Sequence, residues 1–217
     1  ALPIAEVGYA GKANPAAEIS ALLIERGASF DVASRQEVDL CLDLGADPAK
    51  LSFGNTIKKA SDIAHAFERG VRIFAFDAEE ELQKLAEAAP GASVFCRIDA
   101  ASDGAAWPLS RKFGCAPDMA RGYLDIGRFS GLAETEGEAI RYRIEPEAHD
   151  IAAEDGPVVL AGPTCDSADV MYERTPYVMP MALKAGDRLR IHAAGAYTTT
   201  YSSSGFNGFP PLRQYVI

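Results

Sequence analysis

An α/β region followed by a β-rich region is the fold class that this chain predicts, and three observations predict it. Short apolar runs centred near Gly8, Asp31, Ser52, Phe74 and Phe95 recur at intervals of 21 to 23 residues. Each of the first four is followed by apolar residues at helical spacing that stop at a glycine or proline. After about Ala120 the helical periods fade, and short β-type runs separated by turn residues replace them. The expected organisation is a partial (β/α) barrel over residues 1–120 and a C-terminal antiparallel β domain over residues 121–217.

Taken in order, Ile19, Leu22, Leu23 and Ile24 define the first helix and Gly27 stops it. Val38, Leu40, Cys41, Leu42 and Leu44 define the second, ending at Gly45. The third runs through Ile63, Ala66 and Phe67 to Gly70, and the fourth from Ala78 through Leu82, Leu85 and Ala86 to Pro90. Strand–helix units of this length predict parallel strands with right-handed crossovers. The wholly apolar run Ile73-Phe74-Ala75-Phe76 suits a sheet covered on both faces. In the second half, strands are predicted at Tyr123–Ile126, Ile140–Ile144, Val158–Ala161, Arg188–Ala193 and Tyr197–Tyr201. Gly156-Pro157 and Gly186-Asp187 supply turns between them.

Across 217 residues, 21 Lys+Arg stand against 31 Asp+Glu, a net charge of −10 that argues against nucleic acid or an anionic membrane as partner. No apolar run approaches the roughly 20 residues of a membrane span, and the first residues lack a secretory pattern, so the cytoplasm is expected. Cys41, Cys96, Cys115 and Cys165 show no C-x-x-C spacing, which suggests neither zinc nor a disulfide framework.

Lys12, in Tyr9-Ala10-Gly11-Lys12-Ala13-Asn14-Pro15, falls at the end of the first predicted strand and just before a helix. An amine there projects into the mouth where β/α barrels do their chemistry. Its sequence neighbours are small or apolar apart from one hydroxyl, and apolar surroundings favour the neutral amine that attacks an aldehyde. Two readings fit the position: a Schiff-base lysine, or a surface lysine at a strand-to-helix turn.

Several runs together resemble the fold-type III pyridoxal-phosphate decarboxylases of the ornithine and lysine decarboxylase group. They are Tyr9-Ala10-Gly11-Lys12-Ala13-Asn14, Phe30-Asp31-Val32-Ala33-Ser34 with Glu37, Cys96-Arg97-Ile98 and Lys112-Phe113-Gly114. Downstream lie Tyr123-Leu124-Asp125-Ile126-Gly127, Gly162-Pro163-Thr164-Cys165-Asp166-Ser167-Ala168-Asp169, Gly195-Ala196-Tyr197-Thr198 and Phe206-Asn207-Gly208-Phe209. The resemblance implies an alanine-racemase-like barrel and pyridoxal 5'-phosphate carried on Lys12. It implies that Asp31, Arg97 and Tyr197 lie near the cofactor, Tyr197 at its phosphate, with Glu37 a neighbouring acidic position.

The same resemblance implies that Cys165 returns a proton to the substrate α-carbon and that Asp166 holds the distal ammonium of a diamino acid. Asp after the cysteine, where diaminopimelate-acting relatives carry Glu, favours ornithine or lysine as substrate. The products would be putrescine or cadaverine, in polyamine biosynthesis. Phe206 is implied as a wall of the substrate pocket. Cys165 and Asp166 enter the partner subunit's site in this family, so a two-fold homodimer is expected, with Lys112 and Asp169 pairing across it. Read from the residues alone, Arg97 could neutralise a nearby carboxylate, Cys165 could be a small buried hydrophobe and Tyr197 a sheet aromatic.

Relatives also carry stretches that this chain does not show between Ala120 and Arg121: His-Val-Gly-Ser, a triple-glycine phosphate loop and Glu-Pro-Gly-Arg. They have an additional N-terminal segment as well. A full barrel needs about 250 residues, so the chain is expected either to be part of a parent protein or to be completed by oligomerisation. Three function classes follow: a decarboxylase, a noncatalytic relative acting through dimerisation or partner binding, and a small racemase-like barrel protein, the last leaving Gly162–Asp169 unexplained.

Overall fold

In the computed structural model of the protein, the described residues are 7–97, 120–147, 154–195 and 197–213, with only the backbone described for 120–122. The chain forms two compact units. The first holds the chain up to residue 100 together with Gly205–Phe209, and the second holds the remainder.

The first unit alternates strand and helix as its periodicity requires. Strands β1 (Gly8–Ala10), β2 (Ser29–Val32), β3 (Leu51–Phe53), β4 (Ile73–Phe76) and β5 (Ser93–Cys96) form one sheet in sequential order. All four pairings are parallel. The connecting helices are α1 (Ala17–Glu25), α2 (Arg35–Asp43), α3 (Ala60–Glu68) and α4 (Glu79–Ala88). Gly27, Gly45 and Gly70 end the first three by one repeated device. Each has a positive φ of 77°, 92° and 101°, and each donates to the carbonyl three residues back while the next residue donates five back. These bonds satisfy carbonyls that the helix end leaves free.

Apolar side chains from the strands and the inner helix faces make the core: Phe30, Val32, Val38, Cys41, Leu51, Phe53, Ile63, Phe74 and Leu85. In β4, Phe74 and Ala75 point to opposite faces and both are fully buried, so this strand is covered on both sides. β5 differs, with all four residues exposed. Lys58 locks the carboxyl ends of β3 and β4 to α4. Its ammonium donates to the carbonyls of Asn55 at 2.8 Å and Ala75 at 2.7 Å and pairs with Glu81 at 2.7 Å. All of that ammonium's hydrogens thus have acceptors, which a buried cation requires.

The second unit holds a four-stranded mixed sheet and a separate two-stranded one. Its strands are β6 (Ala120–Tyr123), β7 (Ile144–Pro146), β8 (Asp155–Ala161), β9 (Val170–Met171), β10 (Tyr177–Pro180) and β11 (Leu189–Ile191). β8 pairs antiparallel with β10 and β9, and β7 pairs antiparallel with β11. β6 joins β8 in parallel, the one such pair among the described residues of this unit. Leu132, Tyr142, Ile144, Val158, Leu160, Met171, Tyr172 and Met179 form its core.

Three expected strands and one expected turn of this unit are corrected. Tyr123–Ile126 is a strand only at its first residue, where β6 ends, and Gly156-Pro157 lies inside β8, paired with Met179 and Val178 of β10. The run Ile140–Ile144 becomes a strand only at its last residue, because tyrosine hydroxyls take the backbone bonds a ladder would use. Tyr172 Oη accepts from the Tyr142 N–H at 2.9 Å, and Tyr177 Oη accepts from the Ile144 N–H at 3.0 Å while donating to the Tyr142 carbonyl at 2.8 Å. Tyr197–Tyr201 is a turn, closed by the Tyr201 N–H on the Tyr197 carbonyl at 2.9 Å. Hydroxyls nearby bond to local carbonyls, Thr198 to Gly195 and Ser202 to Thr199. Such local bonds compete with a sheet ladder despite the β-branched run.

Candidate active site

Lys12 lies in a single 3-10 turn, Gly11–Ala13, directly after the carboxyl end of β1. The turn is braced from both sides. The Tyr9 hydroxyl donates to the Asn14 carbonyl at 3.2 Å, and Asn14 Oδ1 accepts from the Ala16 N–H at 3.1 Å, which starts α1. Tyr9 itself is fixed edge-on against Phe30 of the next strand, ring centroids 6.0 Å apart. A partly exposed lysine at the carboxyl end of a parallel strand, on a turn braced by the Tyr9 and Asn14 side chains, has a placement that both readings of Lys12 share.

Its neighbours in space are charged, unlike its neighbours in sequence. Asp31 at the end of β2 and Glu37 in the first turn of α2 both feel the Lys12 charge, and Asp31 also feels Arg97, just past β5. Asp31 is thus the shared member of this charged group, coupled to Lys12 after β1, to Glu37 of α2 and to Arg97 after β5. Ser52 of β3 donates to Asp31 Oδ1 at 2.8 Å. Gly54 lies beneath that carboxylate so closely that an added Cβ would fall inside it.

Burial of the carboxyl raises the Asp31 pKa above the usual carboxylate range, although one edge of the residue stays open to solvent. The Ser52 hydroxyl, Lys12 and Arg97 pull the other way. Glu37 is more deeply placed, 3% exposed, and burial pushes its pKa up as well. The Ala33 N–H, the Asn207 amide and Lys12 oppose that rise, while Asp31 adds to it.

Ser34 caps α2, its Oγ accepting from the Glu37 N–H at 3.2 Å, and Glu37 Oε2 reaches back to the Ala33 N–H at 2.7 Å. The S-x-x-E spacing of Ser34 and Glu37 is the sequence signal of such a cap. Phe206 belongs to a 3-10 turn, Phe206–Gly208, that packs in this unit against both the Lys12 turn and α2.

In the second unit, Cys165 and Asp166 sit in the loop between β8 and β9. The loop is closed by the Gly162 N–H on the Asp169 carbonyl at 2.9 Å. Asp169 turns inward: its Oδ2 accepts from the Thr164 N–H at 3.0 Å and from the Thr164 hydroxyl at 2.6 Å. Gly127 and Gly162 press so near that a Cβ on either would overlap its carboxylate. Arg128 fastens the far side, donating to the Ala168 carbonyl at 2.7 Å and pairing with Glu136 at 2.8 Å.

On this frame Cys165 is buried and in no disulfide. Asp166 is half-buried, with Oδ1 accepting from the Ala168 N–H at 2.8 Å. Tyr197 is exposed at φ 63°, its ring 5.7 Å from that of Tyr201. Lys112 lies outside the described residues.

Sequence reading therefore named Lys12, Asp31, Arg97, Glu37 and Phe206, which the first unit gathers at one end of its sheet. It missed Ser52, Gly54, Ser34 and Asn207 there, and Thr164 and Arg128 in the second unit. Of these only Ser34 carried a local signal; the others act through contacts distant in sequence.

Pyridoxal phosphate is tested against this donor set. Its aldehyde needs an accessible primary amine on a fixed backbone, which Lys12 would supply, and its ring needs a polar surround, which Asp31 and Arg97 would supply. The residues present fit the covalent end of the group.

Comparison with known proteins identifies the family. A family profile described as pyridoxal-dependent decarboxylase, pyridoxal binding domain, matches residues 1–133. A second, described as pyridoxal-dependent decarboxylase, C-terminal sheet domain, matches residues 114–195. The chain is 35% identical over 170 residues to a lysine/ornithine decarboxylase of Selenomonas ruminantium, covering 78% of this chain and 42% of that protein. It is 34% identical over 128 residues to antizyme inhibitor 2 of Xenopus laevis, covering 59% and 28%. The chain thus spans less than half the length of these curated relatives. In fold it is similar to the arginine decarboxylase of Paramecium bursaria Chlorella virus bound to agmatine, with a TM-score of 0.50 and 18% identity, covering 94% of this chain and 88% of that one.

Proposed function

This chain belongs to the pyridoxal-dependent decarboxylase family, and we propose on that premise that it serves the decarboxylation of a basic diamino acid, ornithine or lysine, to the corresponding diamine. The observation that carries the reading is the Lys12 amine at the carboxyl end of β1, with Asp31, Glu37 and Arg97 in its electrostatic reach. Pyridoxal 5'-phosphate, when bound, supplies the electron sink for loss of the α-carboxylate.

The chain's own residues do the rest. Lys12 is the point of covalent attachment, and Asp31 and Arg97 orient the cofactor around it, with Tyr197 at its phosphate. Asp166 takes the distal ammonium of the substrate through a charge-assisted bond, its carboxylate already oriented by the Ala168 N–H. Cys165 holds a proton at Sγ, shielded from bulk water, and delivers it to the substrate α-carbon. Phe206 walls the substrate stem. Cys165 and Asp166 are contributed by a second copy in a two-fold dimer, to which Lys112 also contributes, while Asp169, 0% exposed, shapes the loop that carries them. Similarity to antizyme inhibitor 2 supports a second reading, a noncatalytic chain that works through partner binding.

One experiment separates them. The protein is incubated with pyridoxal phosphate, reduced with borohydride and mapped by peptide mass, and CO2 release from ornithine and lysine is then measured. The expected result is a pyridoxyl group on Lys12, absent in Lys12→Ala, together with CO2 release from one or both amino acids. Capture at Lys12 without CO2 release supports the noncatalytic reading, and absence of capture overturns the cofactor assignment. Ornithine and lysine differ by one methylene, so the preference in kcat/KM is expected to be only about 10–200-fold.

A further inference from the structure

Three turns meet at one end of the first unit: the Gly11–Ala13 turn with Lys12, the amino end of α2, and the Phe206–Gly208 turn, which returns from the far end of the chain. The residue that joins them is Asn207. It is 2% exposed and has a φ of 52°, in the left-handed region where Asn is among the few side chains found regularly. Its Nδ2 donates to Glu37 Oε1 at 3.2 Å, and its carbonyl accepts from the Ser34 hydroxyl.

The next residue, Gly208, has a φ of 70° and lies so close to α2 that a Cβ would stand 2.7 Å from Gln36 Cβ. Glu37 is thereby held at both oxygens, Oε1 by Asn207 and Oε2 by the Ala33 N–H at 2.7 Å. The second oxygen is 3.6 Å from where a Cβ of Gly11 would be, one residue before Lys12.

We infer that Asn207 is a positioning residue of the Lys12 site, fixing the Glu37 carboxylate against the turn that carries Lys12 and setting Phe206 beside the same turn. The inference rests on the reading of Lys12 as the cofactor lysine. A hydrogen bond spanning 170 residues of sequence, made by a buried amide to a buried carboxylate, is not needed to build either turn locally. It couples the far end of the chain to the electrostatics of the amine. Lys12 from the β1 turn, Asp31 from β2 and Cys41 within α2 are the titratable groups that share the field of Glu37. The Cys41 thiol is pushed up to about 11, chiefly by burial and then by Glu37.

The test uses Asn207→Asp, which keeps the side-chain shape, tolerates the left-handed backbone and retains the carbonyl that Ser34 bonds, yet replaces the donor with a second carboxyl. Asn207→Ala serves as the second variant. Glu37 protonation is followed by carbon-13 NMR of the glutamate carboxyls, assigned with Glu37→Gln. The rate at which Lys12 is acetylated by acetic anhydride is followed across the same pH range by peptide mass, and thermal melts are recorded beside both.

In Asn207→Asp the Glu37 midpoint is expected to rise by about one pH unit or more, with the acetylation profile of Lys12 moving alongside it. An unchanged Glu37 midpoint, or a moved midpoint with an unchanged Lys12 profile, overturns the inference even if stability falls. Acetylation needs no cofactor. Failure of borohydride capture at Lys12 therefore defeats the proposed function, whereas a still Lys12 profile defeats the role of Asn207.

Discussion

Two aspartates, one in each unit, lie where only glycine leaves room for them, yet their partners differ in kind. Asp31 rests over Gly54, and its charge is met by side chains from other elements: the Ser52 hydroxyl of β3, Lys12 after β1 and Arg97 after β5. Asp169 is wedged against Gly127 and Gly162, and both hydrogen bonds to its Oδ2 come from Thr164 of its own loop. The first keeps an open edge and the second is 0% exposed. A carboxylate bonded within its loop sets the shape of that loop. One left exposed among charges from several strands contributes field to a common surface. Asp169 is thus the builder of the frame that holds Cys165 and Asp166, and Asp31 contributes to the field around Lys12.

The widest separation between them is expected in stability. Asp169→Ala leaves the Thr164 N–H and hydroxyl buried without their acceptor, at a cost of about 3 kcal/mol in urea unfolding, because each unmet buried donor costs about 1–3 kcal/mol. Asp31→Ala removes a carboxylate with an open edge and costs less than about 1 kcal/mol, while weakening capture of pyridoxal phosphate at Lys12. Equal losses of stability in the two variants would erase the distinction.

A second contrast adds the same methyl group to each site. In Gly127→Ala the new Cβ meets the Asp169 carboxylate and, behind it, the backbone of Gly162. Neither can withdraw, so the loss is expected at about 3 kcal/mol, the upper part of the range for overpacking. In Gly54→Ala the atoms nearest the new Cβ are those of the Asp31 side chain. It can swing toward solvent, so the loss is about 1 kcal/mol and is largely recovered in the double variant with Asp31→Ala, a non-additivity that a double-mutant cycle reads directly.

What the sequence made legible follows the same division. The parallel unit was readable because each step is local: an apolar run, a helix with a buried stripe, a glycine that satisfies the last carbonyls, as at Gly27, Gly45 and Gly70. Lys12 falls just after a strand end and could be placed by counting, whereas Asp31 was marked by the family resemblance. In the second unit the strand expected at Ile140–Ile144 failed because Tyr172 and Tyr177, some thirty residues away, supply the bonds. The parallel pairing of β6 with β8 has no local signature either. Asn207 was invisible for the same reason, since the side chain it serves is 170 residues distant. Its left-handed backbone is a preference that Asn has in any turn.

The finest test concerns pH, with Glu37 as the probe. Burial is the first cause of its raised pKa, so its folded value lies above that of the unfolded chain. A carboxyl of this kind contributes stability that is fully present below the unfolded pKa and is lost as pH rises through the folded one. Glu37→Gln removes the titration while keeping the side-chain length. Relative to the wild type, the variant should therefore gain stability as pH is raised from about 4 to about 8, by on the order of 1 kcal/mol for each unit of pKa difference. The same comparison at Asp169, with Asp169→Asn, should cost stability throughout, because one oxygen there receives two donors that an amide cannot match as strongly. Melts of both pairs across that pH range check the sign. A wild type that instead gains on Glu37→Gln with rising pH would mean that Lys12 and Asn207 outweigh burial at Glu37.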